Sequence, residues 1–186
     1  WVATRGGIAY YQHKTQRFVQ FHTANSSLSN NDVYAISMDS RKRLWLGTLN
    51  GLNCITLKWN NNNEVKFEAN KIYLPDSSDK NAISNNNIYS IIFDKNGYGW
   101  IGTAEGLNRF DPQQSIIKFE KYFNTSDSHS LSNNFIWKLI PDKDKIWVVS
   151  VADGLDYFYP DSALHNSGIK FNRFLPSLKS RTGINL

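Results

Sequence analysis

A single cysteine, Cys54, among 186 residues rules out an internal disulfide and any thiolate metal site built within the chain. Long apolar runs are also missing. None approaches the roughly 20 residues needed to cross a bilayer as a helix, and the opening Trp1-Val2-Ala3-Thr4-Arg5 lacks the charged start and apolar stretch of a leader. Apolar residues at helical spacing are scarce as well. Valine, isoleucine, tyrosine and tryptophan recur instead in short alternating runs between Asn, Asp and Gly turns, which is the pattern of strands. The chain reads as all-β.

Charge is unevenly informative. The formal net charge is +5, yet lysine and arginine are scattered, and the one tight cluster, Arg41-Lys42-Arg43, falls in an expected hairpin turn. An electrostatic footprint for nucleic acid needs a coherent patch or stripe, so a solvated loop is the better reading and no nucleic-acid partner is expected. The histidines His13, His22, His129 and His165 show no metal-ligand spacing, and no nucleophile elbow or phosphate loop occurs. The Asp-rich stretches "PDSSDKNAISNNN" and "NTSDSHSLSNN" lack the alternating acidic ligands and central glycine of a calcium loop. No catalytic residue, metal or cofactor is expected.

What the sequence has in abundance is itself. "LSNNDVYAISMDSRKRLWLGTLNGL" is rewritten as "ISNNNIYSIIFDKNGYGWIGTAEGL" and more loosely as "LSNNFIWKLIPDKDKIWVVSVADGL", at a period of about 50 residues. Leu28, Ile83 and Leu131 open Ser-Asn-Asn boxes; Asp39, Asp94 and Asp142 begin polar turns; Trp45, Trp100 and Trp147 centre the next run; Gly51, Gly106 and Gly154 close the following turn. "WVATRGGI" aligns Trp1 with the other tryptophans, so a preceding strand is missing from that copy, and Leu186 falls where another box would open. Both ends read as cut.

Each copy is three strands joined by tight turns plus a variable stretch that supplies a fourth, a four-stranded antiparallel meander. Both faces of the first strand are apolar, as in "DVYAISM" and "NIYSIIF". One small sheet cannot bury two faces, so each needs a like sheet on either side. Face-to-face repetition about an axis, the β-propeller, satisfies this; a β-helix is the competing architecture, with shorter repeats and no such hairpin order. The units are expected at 1–27 (partial), 28–82, 83–130 and 131–185, an arc of about three and a half blades.

The recurring residues read as structure. Asn31, Asn86 and Asn134 belong to boxes that set the loop entering the first strand, and Trp1, Trp45, Trp100 and Trp147 are wedges between sheets whose N–H finds a partner. Ligand specificity should sit where the copies disagree. On the face shared by the entry loops and the second turns, those positions are Arg5, Asp32, Asn50, Asn87, Glu105, Phe135 and Asp153. Trp137 aligns with Tyr34 and Tyr89 and reads as packing, with stacking on a ligand as its other use.

The pattern running from "LSNN.VY.I" through the turn aspartate to "LW.GT..GL" resembles the two-component regulator propeller repeat, over nearly the whole chain. The fourth copy departs most, with Val149-Ser150 for Gly-Thr and an extra residue before Gly154, which puts its second turn in doubt. The resemblance implies a seven-bladed propeller in the periplasmic sensor region of a Bacteroides-type hybrid two-component system. A β-sandwich, membrane helix and histidine kinase would lie elsewhere in the parent, with glycan ligands and a transcriptional output. It implies a binding segment without catalysis, with an oligosaccharide, the parent's other blades and a second copy as partners, and membrane contact only through other parts of the parent. A protein-interaction scaffold and a polysaccharide lyase are the alternative readings.

Overall fold

The computed structural model describes residues 1–61, 64–151, 154–164 and 168–174. Four antiparallel sheets follow one another along the chain. The first is β1 (Val2–Thr4), β2 (Gly7–Gln12) and β3 (Arg17–Phe21); the second is β4 (Val33–Met38), β5 (Leu44–Thr48), β6 (Gly51–Trp59) and β7 (Val65–Tyr73). The third is β8 (Ile88–Phe93), β9 (Gly99–Thr103), β10 (Leu107–Phe110) and β11 (Glu120–Tyr122), and the fourth β12 (Ile136–Asp142), β13 (Lys145–Ser150), β14 (Leu155–Phe158) and β15 (Asn172–Phe174). Every strand pairs with its neighbour in sequence. The one described helix is a 3-10 turn at Pro160–Leu164. The fourth sheet forms its second hairpin despite the departures in its sequence, with Val149 opposite Leu155.

The sheets converge on their first strands: β4 lies against β8, and β8 against β12. Between neighbouring sheets run three apolar layers, one holding Ile8, Phe21, Val33, Leu46 and Ile55, the next Trp45, Leu52, Ile88, Ile101 and Phe110, the last Trp100, Leu107, Ile136, Val148 and Phe158. This is the fanned packing of a propeller arc.

Trp45 and Trp100 are wedges of these layers and Trp1 packs against the first, whereas Trp147 is half-buried and belongs to none of the three. Trp45 and Trp100 have no exposed surface, and each indole N–H donates to the aspartate that opens the preceding turn: Trp45 to Asp39 at 2.9 Å, Trp100 to Asp94 at 2.8 Å, and Trp147 to Asp142 at 3.1 Å. The same carboxylates close the turns, accepting from the N–H of Arg43 in one sheet and of Tyr98 in the next. One side chain thus shapes the hairpin and satisfies the buried indole, which would otherwise leave a polar group unpaired. The Gly-Thr pair after the tryptophan has a packing cause: a Cβ on Gly47 would stand 2.5 Å from Ile88 of the next sheet, and one on Gly102 2.7 Å from Ile136.

Neighbouring sheets are also tied through the backbone. Gly7 N–H donates to the Asn31 carbonyl, Gly51 to Asn86 and Gly106 to Asn134, at 2.8, 2.8 and 2.7 Å. Each turn glycine therefore grips the box of the following unit. Gly51 and Gly106 adopt φ of +93° and +95°, a left-handed conformation that L side chains rarely hold. Within the box, Asn30, Asn85 and Asn133 each accept from the N–H two residues on, fixing the bend into β4, β8 and β12.

Beneath each box lies a buried polar knot. Ser29 N–H donates to Asn53 Oδ1, Asn53 Nδ2 donates back to Ser29 Oγ, and Ser29 Oγ meets Thr48; Ser84, Asn108 and Thr103 repeat the arrangement. In the fourth sheet the partners are Ser132, Ser150 and Asp156. A carboxylate cannot return a hydrogen bond to the serine, so Oδ2 of Asp156 accepts from both N–H and O–H of Ser132, while its buried Oδ1 has no partner among the described residues. Asp156→Asn restores the amide used twice elsewhere and should stabilise the fold by about 1 kcal/mol, a rise of a few degrees in Tm by thermal unfolding. An unchanged or lower Tm would show that Oδ1 is satisfied.

Candidate functional site

The first strands carry an irregularity at the same place. In the pairing of β4 with β5 the register skips Tyr34, in β8 with β9 it skips Tyr89, and in β12 with β13 it skips Trp137. These are β-bulges, which leave one residue unpaired and re-aim its side chain. Three large rings are thereby gathered where the sheets converge. Tyr34 and Tyr89 stand 5.5 Å apart edge to face, Tyr89 and Trp137 5.1 Å, Tyr34 and Trp137 6.3 Å, and Phe135 stacks on Tyr89 at 5.0 Å. Trp137 remains 48% exposed. Burial, and then the nearby Tyr34 phenol, push the Tyr89 hydroxyl above its ordinary pKa.

The polar positions lie in the loops that enter the first strands and in the turns between the second and third strands. In each complete unit the carbonyl just before the first strand accepts from the turn between the second and third: Leu49 N–H to Asp32, Ala104 N–H to Asn87, Val151 N–H to Phe135. These bonds set Asp32 beside Asn50, and Asn87 beside Glu105, on one face. Asn50 is braced by its N–H to Thr48 Oγ1, and Glu105 by the equivalent bond to Thr103. Arg5 is exposed in the β1–β2 turn. Glu105 also borders a groove of about 260 Å³ with Asp76, Ser84, Lys121 and Phe123, which is lined by none of the rings. Asp153 lies outside the described residues, as does His165.

Tyr34 and Tyr89 were not among the site residues expected from the sequence, yet they join Trp137 in the ring cluster. An alternating strand assigns them to an ordinary face; only the bulge turns them inward. Their signal was available as an aromatic repeated at the second position of the first strand.

The remaining nucleophile is not part of the site. Cys54 is buried opposite Trp45, and burial pushes its thiol up to about 11, with Arg43 opposing and Asp39 reinforcing the shift. Among the described residues no cluster of three or more His, Cys, Asp or Glu side chains is placed to hold a metal. A rise from 9.0 to about 11 leaves about a hundredfold less thiolate at pH 8. Iodoacetamide should therefore modify the folded protein at least about tenfold more slowly than the denatured chain at that pH. Equal rates would show a reactive, accessible thiol.

Sheets that converge on bulged first strands, each packed on the next through an apolar layer, define an arc of the β-propeller class. Residues 27–50 and 82–105 match the family described as Two component regulator propeller, so the second and third sheets open with repeats of that kind. A curated relative, Histidine kinase P4 from Formosa agariphila, is 39% identical over 61 residues, 31% of this chain and 4% of the relative. Among solved structures, the extracellular domain assigned to the hybrid two component system BT3049 from B. thetaiotaomicron superposes with a TM-score of 0.68 at 18% identity, over 93% of this chain and 22% of that one. The chain thus spans a small part of either.

Proposed function

We propose that this chain is part of the extracytoplasmic, periplasmic sensor region of a two-component system and that its ligand is an oligosaccharide bound at the propeller mouth. The observation that carries the reading is the trio of bulge-mounted rings Tyr34, Tyr89 and Trp137 with Phe135 stacked beside them. A cluster built only for packing would bury its largest member, whereas the indole of Trp137 is half open to solvent. Aromatic faces of this kind stack on the C–H faces of sugars, and the flanking Asp32, Asn50, Asn87 and Glu105 suit hydroxyl groups.

The repeat match and the kinase relative support the sensor role, and the fold likeness to an extracellular sensor domain agrees with it. In this reading the segment binds and the parent signals. Further blades and a β-sandwich of the parent complete the sensor, a membrane helix and histidine kinase carry the output, and a second copy pairs with it. Binding shifts signalling to the extent that the ligand prefers one arrangement of the sensor over another.

Calorimetry of the purified protein against a broad panel of oligosaccharides tests this. At least one glycan should bind, and Trp137→Ala or Phe135→Ala should weaken it about tenfold or more, with Trp137→Ala shifting Tm by only a few degrees because its ring is half exposed. Silence across the panel, with capture of a specific protein partner at the same rings, would favour an interaction scaffold. Turnover of a polysaccharide would favour a lyase.

A further inference from the structure

Directly opposite each tryptophan, on the third strand of its sheet, stand Cys54, Arg109 and Tyr157. Two units place no cation there, so the fold does not require one. Arg109 is nevertheless only 6% exposed. Its guanidinium lies 3.9 Å from the ring centre of Tyr98, and its Nη1 donates to Glu120 Oε2 at 3.2 Å. Its buried Nε has no hydrogen-bond partner among the described residues. Burying a guanidinium costs several kcal/mol, roughly, unless its donors are well matched. Glu120 offers little in return, because its side chain is 62% exposed and screened by water.

Arg109 forms part of the wall of a cavity of about 340 Å³, shared with Asn81, Asp111, Gln114, Lys118 and Phe119. Asp111 is already committed: the Gln114 side chain and the Gln113 N–H hold its carboxyl below the usual range and ionised. Glu120 is the loose member. It also accepts from the Tyr122 hydroxyl, yet it stands at the surface and can turn to water cheaply. The cavity lies beside Tyr98 and Asp111, at the opposite end of the strands from the mouth, and shares no residue with it.

We propose that this cavity binds a small ligand bearing a carboxylate, with Arg109 as its anchor and Glu120 as a resident counter-ion that the ligand displaces. The incoming carboxylate accepts from the guanidinium, which Tyr98 holds flat, while Glu120 turns outward. With Glu120 gone, Arg109 and Lys118 outnumber Asp111. The amides of Asn81 and Gln114 and the ring of Phe119 accommodate a body of monosaccharide size.

Calorimetry of the full chain with glucuronate, acetate and glucose as probes tests the assignment. Glucuronate should bind and glucose should not. Arg109→Gln should weaken glucuronate by about tenfold or more, and Glu120→Gln, which removes the competitor at an exposed position, should tighten it by about threefold or more. Trp137→Ala should leave it unchanged, which separates this site from the mouth whether or not the mouth binds a glycan. Acetate binding as well as glucuronate does would support the carboxylate site and assign it to small acids rather than sugar acids. No binding of either acid, binding of glucose alone, or weaker glucuronate binding in Glu120→Gln would overturn the proposal.

Discussion

Small sheets with two apolar faces can be stable only against one another, and this requirement organises the molecule. The layers between sheets bury Trp45 and Trp100 completely, and burying a ring of that size is worth a few kcal/mol, roughly, before its indole N–H is counted. The turn aspartates remove the remaining penalty by accepting that N–H. Close approach of the next sheet then dictates Gly47 and Gly102, where no side chain fits beside Ile88 and Ile136. Tryptophan, aspartate and glycine recur together because each answers the same contact.

The same packing frees the mouth for other use. Once the interior layers and the glycine-to-asparagine backbone bonds hold sheet to sheet, the first strands can bulge without loss of register elsewhere, since pairing resumes at Ala35, Ser90 and Lys138. A bulge would be a liability in an isolated hairpin. Here it turns Tyr34, Tyr89 and Trp137 towards one another at the point of convergence. The rigid scaffold and the adaptable rim are two consequences of one stacking rule.

Cations show how the repeat tolerates exchange. Arg43 lies over the Trp45 ring at 5.4 Å, Arg109 over Tyr98 at 3.9 Å and Trp100 at 5.7 Å, and Lys145 over Trp147 at 4.3 Å. The three complete units each set a positive charge on their tryptophan, Arg43 and Lys145 from the position two residues before the ring and Arg109 from the opposing strand. Arg43 also reaches the backbone of the next sheet at Pro112, so it serves the joint between units. Arg109 takes the place that Cys54 holds in the preceding sheet, and it faces a cavity instead.

Residue periodicity alone determined a good deal. Alternating runs, turn residues and the repeated box specified strands, hairpins and stacked sheets, because those depend on local propensity and on the need to hide two apolar faces. Trp45 and Trp100 could be read as wedges for the same reason. Position in space was decided elsewhere. Alternation cannot announce a bulge, so Tyr34 and Tyr89 became mouth residues only when the β4 and β8 ladders skipped them. Trp137 was half exposed by the same device. Nor could spacing reveal that Arg109 would be buried with an unpartnered Nε, since that follows from which face of β10 meets the neighbouring sheet and how the segment after Phe110 folds around a cavity. Local chemistry chose the elements; the contacts between sheets chose which side chains were left at the mouth and around the cavity.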